Sequence, residues 1–167
     1  VSDRAVEIEL AAKASPGLAE DVSRLVAQLS QSASPLGPKE LQELIEQPCT
    51  KLFLARLPEA AEDGGERASR VVGMLTLVIF RLPSGQRAWI EDVVVDKDHR
   101  LKGIGEALVL AALQLAGELG AKTVDLTSRP SREAANRLYQ RLGFQRRETN
   151  VYRFDLRSLA FESGQLG

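Results

Sequence analysis

Ile90-Glu91-Asp92-Val93-Val94-Val95 reads as a strand, and Gly103 through Leu119 reads as a helix that is apolar nearly all round. Such a helix is stable only when buried, usually against a sheet, so this pair of elements commits the chain to an α/β arrangement. The turn between them, Arg100-Leu101-Lys102-Gly103-Ile104-Gly105, is basic and carries two glycines. Glycine has no Cβ, so the main chain can approach a bulky anion there. The first amides of the helix have no acceptor within it and point toward that anion. Arg100 and Lys102 add positive charge beside it. The turn is therefore a candidate phosphate seat. A P-loop does not fit, because no Gly-x-x-x-x-Gly-Lys-Ser/Thr run exists. A dinucleotide fingerprint does not fit either, because Leu108 stands where the third glycine belongs. The alternative, two glycines that merely shape a strand-to-helix turn, stays open on this stretch alone.

Along the chain, Val6 to Leu10 alternates as a half-buried strand does, and Pro16-Gly17 breaks it. Leu18, Val22, Leu25, Val26 and Leu29 recur at helical spacing. Pro38 suits the first position of a second helix reaching Gln47, with Leu41, Leu44 and Ile45 as its apolar side. Thr50 to Leu57 reads as a strand, and Pro58 to Ser69 as a mobile hairpin loop. Arg70 to Leu82 reads as a long strand with Gly73 as a candidate bulge, and Arg87 to Asp96 as the next. Gly120 stops the long helix, and Thr123 to Thr127 is a short strand. Ser131 and Glu133 open a last helix that ends at Gly143. Phe144 to Glu148 and Val151 to Leu156 are expected to form a closing hairpin. The order is β-αα-βββ-α-β-α-ββ with no linker, which packs most simply as a mixed sheet with helices on both faces. A single domain over 1–157 with a loose tail at 158–167 is expected.

Composition removes several classes of function. The net charge of -1, from 22 basic and 23 acidic residues, argues against a general nucleic-acid grip. The lone cysteine, Cys49, allows no intrachain disulfide, and with the lone histidine, His99, it leaves a His/Cys metal site almost without ligands. No metal is expected. The apolar runs Gly73 to Phe80 and Ala107 to Leu113 are far shorter than a membrane span. The first residues have no apolar signal core, so neither membrane nor export is expected and the default location is cytoplasmic.

A second motif runs from Ser128 to Phe144. Asn136 and Tyr139 are spaced to share one face of its helix, while Ala135, Leu138 and Leu142 serve as a core face. In isolation Tyr139 reads as an amphipathic edge residue and Asn136 as a solvated one. Together the two segments resemble the GNAT superfamily of acyl-CoA-dependent N-acetyltransferases. Arg100-x-x-Gly103-x-Gly105 is similar to that family's pyrophosphate-binding pattern, and Ala135-Asn136-Arg137-Leu138-Tyr139 with Leu142-Gly143-Phe144 is similar to its second cofactor-binding segment. The resemblance covers Arg70 to Leu156; Leu101 stands where many members carry glycine.

The resemblance implies a GNAT-like α/β fold with a mixed, mostly antiparallel central sheet of about seven strands flanked by about four helices. It implies a cofactor cleft where the strands Ile90 to Asp96 and Thr123 to Thr127 splay apart. Main-chain groups of Val93, Val94 and Val95 would pair with the pantetheine arm of acetyl-CoA. Arg100, Leu101, Lys102, Gly103, Ile104, Gly105 and Glu106 would hold the pyrophosphate, and Asn136 would lie near the pantetheine. Tyr139 would sit near the sulfur and donate a proton to the leaving thiol; a phenol, with a pKa of about 10, is protonated at pH 7. An acceptor amine must be neutral to attack, yet a lysine-like amine is neutral less than about one time in a thousand at pH 7. Glu91, working through water, is the candidate base, with a plain surface salt bridge as its rival. The implied reaction is acetyl transfer to a primary amine, with a small-molecule acceptor favoured. The rivals are a peptide or protein amine as acceptor, and a non-catalytic acyl-CoA-binding module. Apolar closing strands would also allow a homodimer.

Overall fold

The computed structural model describes residues 6–30, 33–58 and 69–156. The chain divides into two compact units, Val1–Arg132 and Glu133–Gly167. The first holds β1 (Glu7–Leu10), α1 (Pro16–Leu29), α2 (Pro38–Ile45), β2 (Thr50–Pro58), β3 (Ser69–Leu82), β4 (Gly85–Val95), a 3-10 turn (Lys97–His99), α3 (Ile104–Glu118) and β5 (Val124–Leu126). The second holds α4 (Glu133–Arg141). Most of the expected hairpin loop, 59–68, and the expected tail, 158–167, lie outside the described residues.

The strands form one sheet in the order β1-β2-β3-β4-β5. The first four are antiparallel neighbours, and β5 runs parallel to β4. Ser15 caps α1 by accepting the Leu18 N–H at 3.2 Å, and Pro16 sits in its first turn. The helical spacing of Leu18, Val22 and Leu25 then places them on one stripe. That stripe, with Leu41 of α2, packs on Leu52, Leu54, Val71, Met74 and Val94 of the sheet. On the other face α3 lies so close that a Cβ on Gly73 would stand 3.2 Å from Ile104 Cγ2, Leu108 Cδ1 and the Val94 carbonyl oxygen. Leu25, Leu54 and Leu108 are fully buried, each worth about 1.5–3 kcal/mol in transfer terms.

Register is broken where two strands carry an extra residue. On β3 the extra residue is Val72, since Ala55 pairs with Gly73 and Arg56 with Val71. Gly73 thus flanks a bulge, as its sequence position suggested. On β4 the extra residue falls between Glu91 and Val94, which pair with Thr76 and Met74.

Among the described residues the sheet has five strands rather than the expected seven. Residues 144–155 form no strand, and Val151, Tyr152, Phe154 and Leu156 are exposed. Strand propensity reflects fit to a pleated, half-buried surface, and these side chains have no such surface. The helices match expectation in number, with α1 to α4 flanking or following the sheet in sequence.

A side chain at position 73 would crowd β3 against α3, with its Cβ 3.2 Å from Ile104 and Leu108. Gly73→Val should destabilise the chain by about 1–3 kcal/mol through overpacking, read as a lower urea midpoint with an unchanged slope.

Candidate active site

β4 and β5 pair only at Ala88–Val124, Trp89–Asp125 and Ile90–Leu126. Beyond Ile90, β4 continues to Val95 with β3 on one side and no ladder on the other. The Asp96 N–H donates to the Val72 carbonyl at 2.8 Å, so the peptide groups of residue 96 face β3. By alternation those of Val94 also face β3, while those of Val93 and Val95 face the open side. Arg100 reaches that open edge, its Nε donating to the Val95 carbonyl at 3.3 Å. The β4–β5 ladder thus ends at Ile90–Leu126, and Val93 and Val95 lie on the β4 edge beyond it. Val94 instead puts its side chain into the α1/α2 core.

The β4 bulge decides where Glu91 points. Asp92 has a φ of 50°, in the left-handed region that aspartate tolerates better than most residues. Thr76 lies two positions from Met74 on β3, so both face α1 and α2. Glu91 pairs with Thr76 and Val94 with Met74, so both share that face although they are three apart. An unbulged strand would set them on opposite faces. Glu91 is exposed, just past the last β4–β5 pair, and its Oε1 accepts the Trp89 indole N–H at 2.7 Å. Trp89 thereby fixes the carboxylate, a role the sequence reading did not assign to it.

The basic turn opens α3. Gly103 caps the helix with φ 76° and ψ −2°, and no side chain caps it in addition. The first helical hydrogen bond runs from the Ala107 N–H to the Gly103 carbonyl at 3.0 Å, so the Ile104 and Gly105 amides have no acceptor within the helix. Leu101 also has a positive φ, 63°, and its side chain is 99% exposed. Arg100 and Lys102 are exposed beside it, Ile104 is buried, and Gly105 and Glu106 are half-buried. The outer side of Gly103 is open, since a Cβ there would meet nothing within 4 Å apart from its chain neighbours.

Asp96 lies at the base of this turn and is the buried charged residue among those described. Burial pushes its carboxyl pKa up, but the Asp98 amide, the Arg24 guanidinium and Arg70 outweigh burial and hold it below the ordinary 3.8. Its Oδ1 accepts the Asp98 N–H at 3.2 Å, and its Oδ2 accepts from Arg24. Nothing local in the sequence signals this contact, which joins residues far apart in the chain.

In the second unit, Tyr139 is the buried residue of α4, and Asn136 is half-buried. The tyrosine ring meets Phe144 edge-on, centroids 5.7 Å apart at 65°, and the Phe144 N–H donates to the Tyr139 carbonyl at 2.9 Å. Ala135, Leu138 and Leu142, expected as the core face, are half-buried. The large ring takes the buried place because it offers more apolar surface than they do.

Among the described residues no group of His, Cys, Asp and Glu is arranged to hold a metal ion, and no helix is long and apolar enough to cross a membrane. Cys49 is exposed and free.

A strand edge without a partner beyond Ile90, next to the N-terminus of α3, is an arrangement suited to an extended ligand with a phosphorylated end. Residues 23–144 match the profile of the Acetyltransferase (GNAT) family, and the chain belongs to that family. Members of the family use acetyl-CoA. The chain is similar to N-acetyltransferase family 8 member 3 of Rattus norvegicus, 34% identical over 91 residues, which are 53% of this chain and 40% of that protein. It is similar to the glucosamine 6-phosphate N-acetyltransferase of Trypanosoma brucei brucei, 37% identical over 90 residues, 52% of this chain and 58% of that protein. The matched segments thus span no more than 58% of either relative. An aminoglycoside acetyltransferase from an uncultured soil metagenomic sample, solved in complex with trehalose, has the same fold. Its TM-score is 0.72 at 23% identity, over 90% of this chain and 95% of its own.

The residues fit the family's cofactor. The Val93 and Val95 edge suits an amide-bearing arm, and the Gly103 turn suits a pyrophosphate. The Ser128 hydroxyl, just past the last β5 pair, is buried with no protein partner. No sequence signal separates Ser128 from an ordinary loop serine.

The lowered pKa of Asp96 has a pH signature. Its stabilising effect is fully present above 3.8 and is lost as pH falls through the lower folded value. By urea denaturation, the stability gap between wild type and Asp96→Asn should hold from neutrality down to about the unfolded value of 3.8 and close as pH falls below it.

Proposed function

We propose that the chain is an N-acetyltransferase that moves an acetyl group from acetyl-CoA to a primary amine by direct attack on the thioester. Its acceptor is a small-molecule amine, and residues 1–157 act as one acetyltransferase domain. What supports this most is the placement of Glu91: one carboxylate, held by Trp89, at the mouth of the β4–β5 gap and upstream of the anion turn. A non-catalytic acyl-CoA binder has no use for a carboxylate held there. The likeness to a glucosamine 6-phosphate N-acetyltransferase supports a small aminosugar-like acceptor over a peptide.

The cofactor supplies an activated acetyl thioester. The chain's own residues supply the seat and the proton transfers. Arg100, Lys102 and the amides from Leu101 through Glu106 bind the pyrophosphate, and Val93 and Val95 align the arm through their open peptide groups. A peptide N–H on the open side of β4, at Val93 or Val95 rather than Val94, polarises the thioester carbonyl. Glu91 takes the proton of the acceptor ammonium through water; that deprotonation costs about 4–5 kcal/mol at pH 7 for a lysine-like amine. The Trp89 hydrogen bond occupies Oε1 and leaves Oε2 to face the water. On the motif that carries them, Asn136 is assigned a contact to the arm and Tyr139 the proton donor for the departing sulfur; the second proton, shed by the attacking nitrogen as the intermediate collapses, restores the phenol.

Thiol release from acetyl-CoA, measured against aminosugars, other small amines and peptides, tests the activity. Turnover with a small amine is the expected result. Turnover with peptides alone would make the acceptor a peptide, and saturable binding without turnover would make the chain a binding module.

Two substitutions separate the roles. Glu91→Gln should lower kcat by about 100-fold or more while the KM for acetyl-CoA stays near wild type. Tyr139→Phe should slow transfer with coenzyme A affinity retained, and unchanged turnover would remove Tyr139 as the acid.

A further inference from the structure

The turn from Asp96 to Gly103 has few supports, and most stand at its base. The Asp96 N–H bonds the Val72 carbonyl, and the His99 N–H bonds the Asp96 carbonyl, each at 2.8 Å. Past Arg100 the backbone runs through Leu101 and Gly103 in left-handed conformations, with Leu101 fully out in solvent. The direction in which the Leu101 to Gly103 amides point, ahead of the packed start of α3, is therefore set by how the base is held.

The base is held by one stripe of α1. Asp21, Arg24 and Gln28 are spaced three and four apart, so they line one side of the helix. Gln28 Oε1 accepts the Lys97 N–H at 3.0 Å. Arg24 Nη1 donates to Asp96 Oδ2, while its Nη2 donates to the Val71 carbonyl at 2.7 Å and to Asp21 Oδ1 at 2.9 Å. Asp21 Oδ2 closes the set by accepting the Val71 N–H at 3.1 Å. Arg70 adds a second, more distant cation, 3.9 Å from Asp96 Oδ2. One guanidinium thus bridges the start of β3, the polar stripe of α1 and the carboxylate that caps the 3-10 turn.

We infer that Arg24, through its bond to buried Asp96, is a positioning residue for the coenzyme A phosphate turn. It acts through Asp96 and the 3-10 turn, not by touching the ligand. Cutting the pair leaves a buried carboxylate short of its partner, and such a group pulls toward water. The easiest relief is for residues 96–99 to shift outward, which re-aims the amides downstream. Lysine at position 24 restores the charge but not the planar fork that bonds Asp96 and Val71 together.

The inference rests on the reading of this turn as the cofactor seat, and the experiment separates the two. Coenzyme A binding is measured by calorimetry for wild type, Arg24→Met, Arg24→Lys and Leu41→Ala. Hydrogen exchange of amides 97–105 is followed in the ligand-free proteins. Leu41 is a fully buried α2 residue, so its truncation controls for lost stability alone. Arg24→Met should raise Kd about tenfold and speed exchange across the turn, with kcat at saturating acetyl-CoA changed little. Arg24→Lys should recover part of the affinity, and Leu41→Ala should leave both Kd and turn exchange near wild type despite its lower melting temperature. If Arg24→Met loses stability as Leu41→Ala does but keeps wild-type Kd and exchange, the positioning role is wrong and the cofactor seat stands. Absence of coenzyme A binding in the wild type would remove the seat itself, and the inference with it.

Discussion

β4 loses its parallel neighbour after Ile90, and the site depends on that loss. A strand with a free edge must satisfy its outward peptide groups with something other than a sheet. Here one such group, the Val95 carbonyl, takes the Arg100 side chain, and the rest of the edge at Val93 is left to a ligand or water. The short β5, paired over only Val124–Leu126, is what makes the edge available. The bulge at Asp92 acts on the same stretch. It keeps Val94 in the α1/α2 core while Glu91 stays on that same side. A regular strand could not give both.

The anion turn and the strand edge follow from one another. α3 must lie across β3 and β4 to bury Leu108 and Val109, and Gly73 gives it room to come close. Its N-terminus is therefore delivered to the end of β4, next to the open edge. The helix contributes amides without acceptors, and the turn contributes Arg100 and Lys102. Glu106 in the first helical turn offsets part of that charge, so the proposed seat would rest on main-chain donors more than on net charge. The pair of half-buried Arg24 and buried Asp96 is a costly device in stability terms, since burying a charge is rarely a net gain. Its location at the base of the turn suggests that it is kept for geometry.

Much of this was legible in the sequence because it was local. The spacing of Leu18, Val22 and Leu25, the all-round apolar α3 and the stop at Gly120 each report on neighbours within a few residues. The strand-to-helix turn was legible for the same reason: its glycines, its basic residues and the helix start are adjacent. The expected hairpin at 144–156 failed because alternation and β-propensity in Val151, Tyr152 and Phe154 say what a strand could bury, not whether a partner is there. The Asp92 bulge carries no glycine to mark it, so the facing of Glu91 could not be worked out from alternation alone. Arg24 and Asp96 meet only because α1 crosses the ends of β3 and β4, and no sequence pattern joins them.

The account turns on main-chain donors at the front of α3 receiving the phosphorylated end of coenzyme A. The direct measurement is a residue-resolved amide shift map of the 15N-labelled protein titrated with coenzyme A. The largest changes should fall on Leu101 through Gly105, with a second group at Val93 and Val95 along the open edge. Saturable binding that moved other amides and left those two groups in place would contradict it.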